Sequence, residues 1–125
     1  MSNKNQLGEM LTEHEMWQQK ILSYRDELEQ FNNILGKIVK LNPDSDKLRK
    51  IEHFQNQFIL QNENLDIMRH DFKQHENSIE ALQNEVSADP EIKINQQHED
   101  QKVRLTDFEK IFGDLKKEFE FFQST

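Results

Sequence analysis

The stretch LDIMRHDFKQHENSIEAL occupies residues 65–82. It has no glycine or proline to end a helix. Leu65, Phe72 and Ile79 recur every seventh residue, and Met68 and Leu82 take the d positions of the same heptad. An apolar period of 3.5 residues marks a helix that keeps one seam against its partners, as in a coiled coil. The d position between Met68 and Leu82 belongs to His75, a polar ring where the seam asks for an apolar one. This stretch therefore predicts a long core helix and points to the place where chemistry would sit.

The register extends in both directions. Upstream it takes in Ile51, Phe54, Phe58 and Gln61, and downstream it runs to Val86. Two prolines punctuate the chain in similar contexts, Asn42-Pro43-Asp44 and Asp89-Pro90-Glu91. A side-chain oxygen at the N-cap, proline in the first helical position and a following acid make a helix start. The chain then divides into three helices, approximately 6–41, 44–87 and 91–122. Connections this short make neighbours antiparallel. The first segment repeats the pattern with Leu7, His14, Ile21, Leu28 and Leu35 at a, and Met10, Trp17, Tyr24, Phe31 and Ile38 at d. The third does so with His98, Leu105, Phe112 and Phe119 at a, and Ile94, Gln101, Phe108, Leu115 and Phe122 at d. The expected fold is all-α: one domain over 1–125, an elongated antiparallel three-helix coiled-coil bundle running up, down and up.

Composition agrees. Hydrophobic residues make up 34% of the 125 and charged residues 32%, which suits the thin core of a rod. With three glycines and two prolines the chain lacks the usual make-up of a disordered segment. No apolar run approaches the roughly 20 residues of a membrane span, and no hydrophobic stretch follows the lysine of the opening residues to suggest a signal peptide. The net charge of -8, with no basic cluster free of acids, disfavours nucleic acid as a partner. Absence of cysteine removes thiolate metal sites and fits a reducing compartment. A cytoplasmic protein is expected, with neither membrane nor nucleic-acid partners.

Five core positions are polar: His14, Gln61, His75, His98 and Gln101. Folding the helices about their turns brings the three histidines and Gln101 to one end of the rod. Each histidine precedes an acid (Glu15, Glu76 and Glu99), and Asp71 lies one turn before His75. A carboxylate bonded to one imidazole nitrogen leaves the other free for a proton or a metal. His14, His75 and His98, with Asp71, are candidate ligands for zinc, iron or manganese. Against this, polar a and d residues commonly fix register, and the paired Glu-x-x-His pattern of carboxylate-bridged bundles is missing. On that reading the layer is satisfied within the protein and no cofactor is bound. Gln61, opposite Tyr24, is read as a hydrogen-bonded pair with it.

Outside the seam, His70 faces solvent with Lys73 three residues on, and resembles the phosphorylatable site of histidine-phosphotransfer domains. Gln74 stands where those domains carry a small residue, and the bundle has three helices rather than four. No phosphate loop or activated nucleophile is visible, so no enzyme is expected and no catalytic residue is assigned. Leu60, Ile67 and Phe121 are apolar yet off the seam, and could form a stripe for a protein partner or a second copy. Ile111, at g, is read as widening the core.

The whole chain, especially EHFQNQFILQ (52–61) and LDIMRHDFKQHE (65–76), resembles short uncharacterised coiled-coil proteins of Bacteroidetes-type bacteria. That resemblance implies a bacterial cytoplasmic helical protein and no transferable activity. Three long helices with Trp17 in the first also look like a spectrin repeat, in architecture alone. The leading functional expectation is a non-enzymatic acidic coiled coil acting by protein–protein contact or self-association. The alternatives are a metal- or proton-responsive bundle using the core histidines, and a phosphotransfer protein at His70.

Overall fold

The computed structural model describes residues 4–125, which form three helices: α1 (Lys4–Val39), α2 (Ser45–Gln83) and α3 (Glu91–Ser124). Residues 1–3, part of the chain start read above for a leader, lie outside the described residues. At about 1.5 Å per residue these helices make a rod on the order of 50–60 Å long. No helix among the described residues is long and apolar enough to cross a membrane.

Burial follows the heptads closely. Every buried residue of α2 and α3 occupies an a or d position, including Gln61, His75 and His98. In α1 the a series is buried throughout, whereas Met10, Tyr24, Phe31 and Ile38 at d are partly covered. The core has two parts. The larger runs from Trp17 and Phe72 through the phenylalanines to the first turn, and the smaller gathers Leu7, Ile79 and Ile94 near the second. The three buried histidines lie where the two parts meet.

The turns depart from expectation by a few residues. The N-cap of α2 is Asp44, whose Oδ1 accepts the Lys47 N–H at 2.8 Å. Asn42 instead adopts the left-handed conformation (φ 53°) in the turn after α1, a place asparagine tolerates. The N-cap of α3 is Pro90 rather than Asp89. Asp89 pairs with Lys93 at 3.0 Å, and its N–H is accepted by Ser87 Oγ. Helix α2 also ends early. Glu85 turns left-handed (φ 61°), and the Val86 N–H bonds back to the Ala81 carbonyl at 2.9 Å. That closure is of the Schellman type, and it leaves Val86, expected in the core, 74% exposed in the turn.

Two further expectations are corrected. Gln61 is buried but accepts from Asn64 Nδ2 at 3.3 Å, one turn on in its own helix. Tyr24 donates instead to Glu109 across the α1–α3 seam. Burial and that carboxylate push the Tyr24 hydroxyl well above its usual range. Ile111 does not widen the core, being 53% exposed.

Candidate metal centre

One histidine comes from each helix, because His14 and His98 hold a positions and His75 holds a d position of one shared seam. Their rings meet, with centroids 4.9 Å apart for His14–His75, 5.2 Å for His14–His98 and 5.7 Å for His75–His98. All three are buried, and one ring nitrogen from each lies within 4.8 Å of the other two. Trp17 stacks on His98 at 4.8 Å, and Phe72 meets His14 edge-on at 5.7 Å. Aromatic rings therefore wall the site on the side of Trp17 and Phe72, while an open polar cleft of about 350 Å³, lined by Asp71, Gln101 and Arg104, borders His75.

The outer nitrogens reach oxygen acceptors. His75 Nε2 lies 2.9 Å from the Ile94 carbonyl, so it carries the proton and donates. His14 Nδ1 faces Glu76 Oε2 at 3.3 Å, and His98 Nε2 faces Glu13 Oε1 at 3.4 Å. Gln18 holds Glu76 in place, its Nε2 donating to the same carboxylate oxygen at 2.9 Å. The remaining nitrogens are His14 Nε2 and His75 Nδ1, 2.9 Å apart, and His98 Nδ1, which is buried without a partner.

Counting protons along this chain is instructive. From the Ile94 carbonyl through His75 and His14 to Glu76 there are three contacts, and each needs one proton. Two neutral imidazoles carry two. A neutral pair thus leaves one contact without a proton, and completing all three takes a third proton, shared along the imidazoles or held by Glu76. Adding a third proton is opposed by burial. His14 is pushed down to about 3 by desolvation first and then by the neighbouring charges of His75 and His98. Desolvation also lowers His75, with the Ile94 carbonyl pulling the other way.

A divalent metal fits the same position differently. With each outer nitrogen protonated toward its oxygen, His14 Nε2, His75 Nδ1 and His98 Nδ1 would keep lone pairs for a metal, as where second-sphere carboxylates and carbonyls orient metal-binding histidines. Glu13 and Glu76 supply two negative charges for a divalent ion. Tetrahedral zinc with bonds of 2.0–2.1 Å places ligand nitrogens about 3.3 Å apart. Reaching that spacing takes ring shifts on the order of 1 Å, which side-chain rotation provides. Three imidazoles with no inward carboxylate match zinc and its neighbours better than manganese or magnesium.

The sequence singled out the three histidines as candidate ligands, and the structure brings them together. Asp71 is placed elsewhere: its carboxylate pairs with Arg104 at 2.8 Å, and its carbonyl accepts from Gln101 at 3.4 Å. Nor does Glu76 bond to His75, the histidine it follows. Glu76 serves His14 on another helix, and Glu13, which precedes His14, serves His98. Their signal was positional. Glu76 at e and Glu13 at g flank the seam, where side chains cross between helices. His70, Lys73 and Gln74 are exposed on the outer face of α2, and Leu60, Ile67 and Phe121 are exposed by 46%, 51% and 72%.

Comparison with protein-family models, with curated proteins and with solved structures finds no match.

Proposed function

We propose that this protein is a metal-responsive helical bundle, binding one zinc-class divalent ion through His14, His75 and His98. The observation that carries this reading is the orientation of the three imidazoles. Each has a ring nitrogen at an oxygen acceptor, and one nitrogen from each buried ring lies within 4.8 Å of the other two. Binding there joins all three helices at one level, so the ion's affinity adds to the stability of the folded state. His14, His75 and His98 are each at most 4% exposed, which favours a sensing, carrying or stabilising role over catalysis.

Three measurements on untagged protein purified without chelators test the proposal: elemental analysis, Co²⁺ absorption and Zn²⁺ titration. Trp17, the single tryptophan, stacks on His98 and serves as a built-in fluorescent reporter. One ion per chain is expected, with a tetrahedral cobalt spectrum, altered Trp17 emission and a raised Tm. His75→Ala loses all of these, whereas His70→Ala, a change on the outer face, keeps them. Wild-type protein that takes up no ion, and whose Trp17 emission ignores added metal, overturns the proposal.

A further inference from the structure

Away from the histidines, the seam between α2 and α3 carries an apolar patch that none of the described residues covers. Asn64 and Ile111 line one cleft of about 210 Å³ at mid-length. Leu60 and Ile67 stand four residues before and three after Asn64, which puts them on the same side of α2. All three apolar residues are about half exposed, although each could have been polar at no cost to the core. Phe121 extends the patch along α3, bordering a cleft of about 420 Å³ that it shares with His53. Two side-chain pairs bracket the mid-length cleft across the seam, His53 with Glu118 at 3.0 Å and Asp71 with Arg104 at 2.8 Å, and Asp107 is the one acid lining the cleft itself. Covering this strip therefore costs less than covering the acidic remainder of the surface.

We infer that this face joins a second copy of the same chain in an antiparallel, side-by-side dimer. Three observations select that occupant. First, the patch is central, since Asn64 is the midpoint of α2, the helix Ser45–Gln83. A two-fold axis beside Asn64 therefore lays Leu60 of one copy near Ile67 of the other, a self-complementary contact of the isologous kind.

Second, the rod is electrically polarised. Residues 37–50 and 114–125, which share the first-turn end, hold seven lysines or arginines against five acids, while 5–15 and 76–100, at the second-turn end, hold one lysine against ten acids. Antiparallel pairing sets each basic end beside an acidic one, and parallel pairing would put the two acidic ends together. Third, area favours the side of the rod over its tips. A stable interface needs about 800 Å² per partner, about a tenth of the 8336 Å² surface. Three helix ends of about 10 Å diameter offer only on the order of 300 Å².

Sedimentation equilibrium of the full chain tests the association, and thiol cross-linking tests its direction. The expected mass is twice the 15.1 kDa of one chain, falling to a single chain in Leu60→Asp/Ile67→Asp. An unchanged helical circular-dichroism spectrum for that variant shows that the fold survives. The chain has no cysteine, so introduced thiols are the only ones. Leu60 opposite Ile67 implies His53 opposite Gln74, with the two His53 positions roughly 30 Å apart. His53→Cys and Gln74→Cys then form a disulfide dimer when mixed, and neither does so alone. A monomeric wild type, an association untouched by the double variant, or cross-linking of either cysteine variant with itself overturns the inference.

Discussion

At the first-turn end of the rod, Phe54, Phe58, Phe119 and Phe122 pack ring against ring, with centroids 5.1 to 6.3 Å apart. Toward the other end, His14, His75 and His98 fill equivalent seam positions with centroids 4.9 to 5.7 Å apart. Both clusters are buried, and each draws rings from more than one helix. They differ in what completes them. Phenyl rings need only neighbours, and edge-on pairs such as Phe58–Phe119 are favourable arrangements of such rings. Imidazoles bring lone pairs and protons, and here the neutral histidine pair leaves one contact unmade. One end is held by shape, the other by a hydrogen-bond pattern that one more proton completes. Replacing rings at the two ends should therefore produce effects of different kinds as well as sizes.

The largest effect belongs to the aromatic end. Phe58 is fully buried and touches Phe31, Phe54 and Phe119. Phe58→Ala should destabilise the fold by about 3–5 kcal/mol, the transfer of the ring plus the cavity it leaves. The loss, read by urea denaturation, should be the same with and without zinc and nearly independent of pH between 5 and 8. A zinc-dependent loss would mean that the two ends are coupled through the core more tightly than their separation suggests.

The histidine end should instead respond to pH. The folded state holds His14 down at about 3, against an ordinary value of 6.5, and His75 is lowered as well. Below 6.5 the unfolded chain takes protons that the folded chain refuses, so stability must fall as pH drops from 6.5 toward 3. One such histidine contributes a slope of about 1.4 kcal/mol per pH unit within that window. Replacing all three histidines by leucine should flatten this part of the curve. It should also leave the metal-free protein as stable at pH 7 or more so, since well-packed apolar groups often outperform buried polar ones. Urea midpoints at pH 7, 6 and 5 for wild type and the triple variant decide it, and parallel curves would remove the imidazoles as the cause.

The same contrast governs what was legible in the sequence. A heptad pattern reports which residues face the seam, so the core and the meeting of His14, His75 and His98 could be read directly. It does not report which way a polar side chain turns once inside. Asp71, one turn from His75, was close enough to bond it, yet Arg104 on α3 claims its carboxylate. Glu76 and Glu13 reach across to other helices because e and g side chains flank the seam, and local spacing along one chain conceals such crossings. The turns failed for a related reason. Asn42 and Asp44 are both good caps, and the choice between them depends on where the left-handed residue falls.

The smallest effect should be blind to the difference between the ends. Gly36 and Gly113 lie inside α1 and α3 without positive φ, and a Cβ added at either meets nothing within 4 Å. Neither is required by a turn or a close approach, so each costs the helix backbone entropy and returns no packing. Gly36→Ala should raise stability by roughly 0.5–1 kcal/mol through the greater helix propensity of alanine. Because this gain arises largely from the unfolded chain, it should leave the zinc response and the pH slope unchanged. A gain at neutral pH that vanished on adding zinc would tie the far end of α1 to the histidine layer. Equal gains with and without metal would support treating the two ends as separately held.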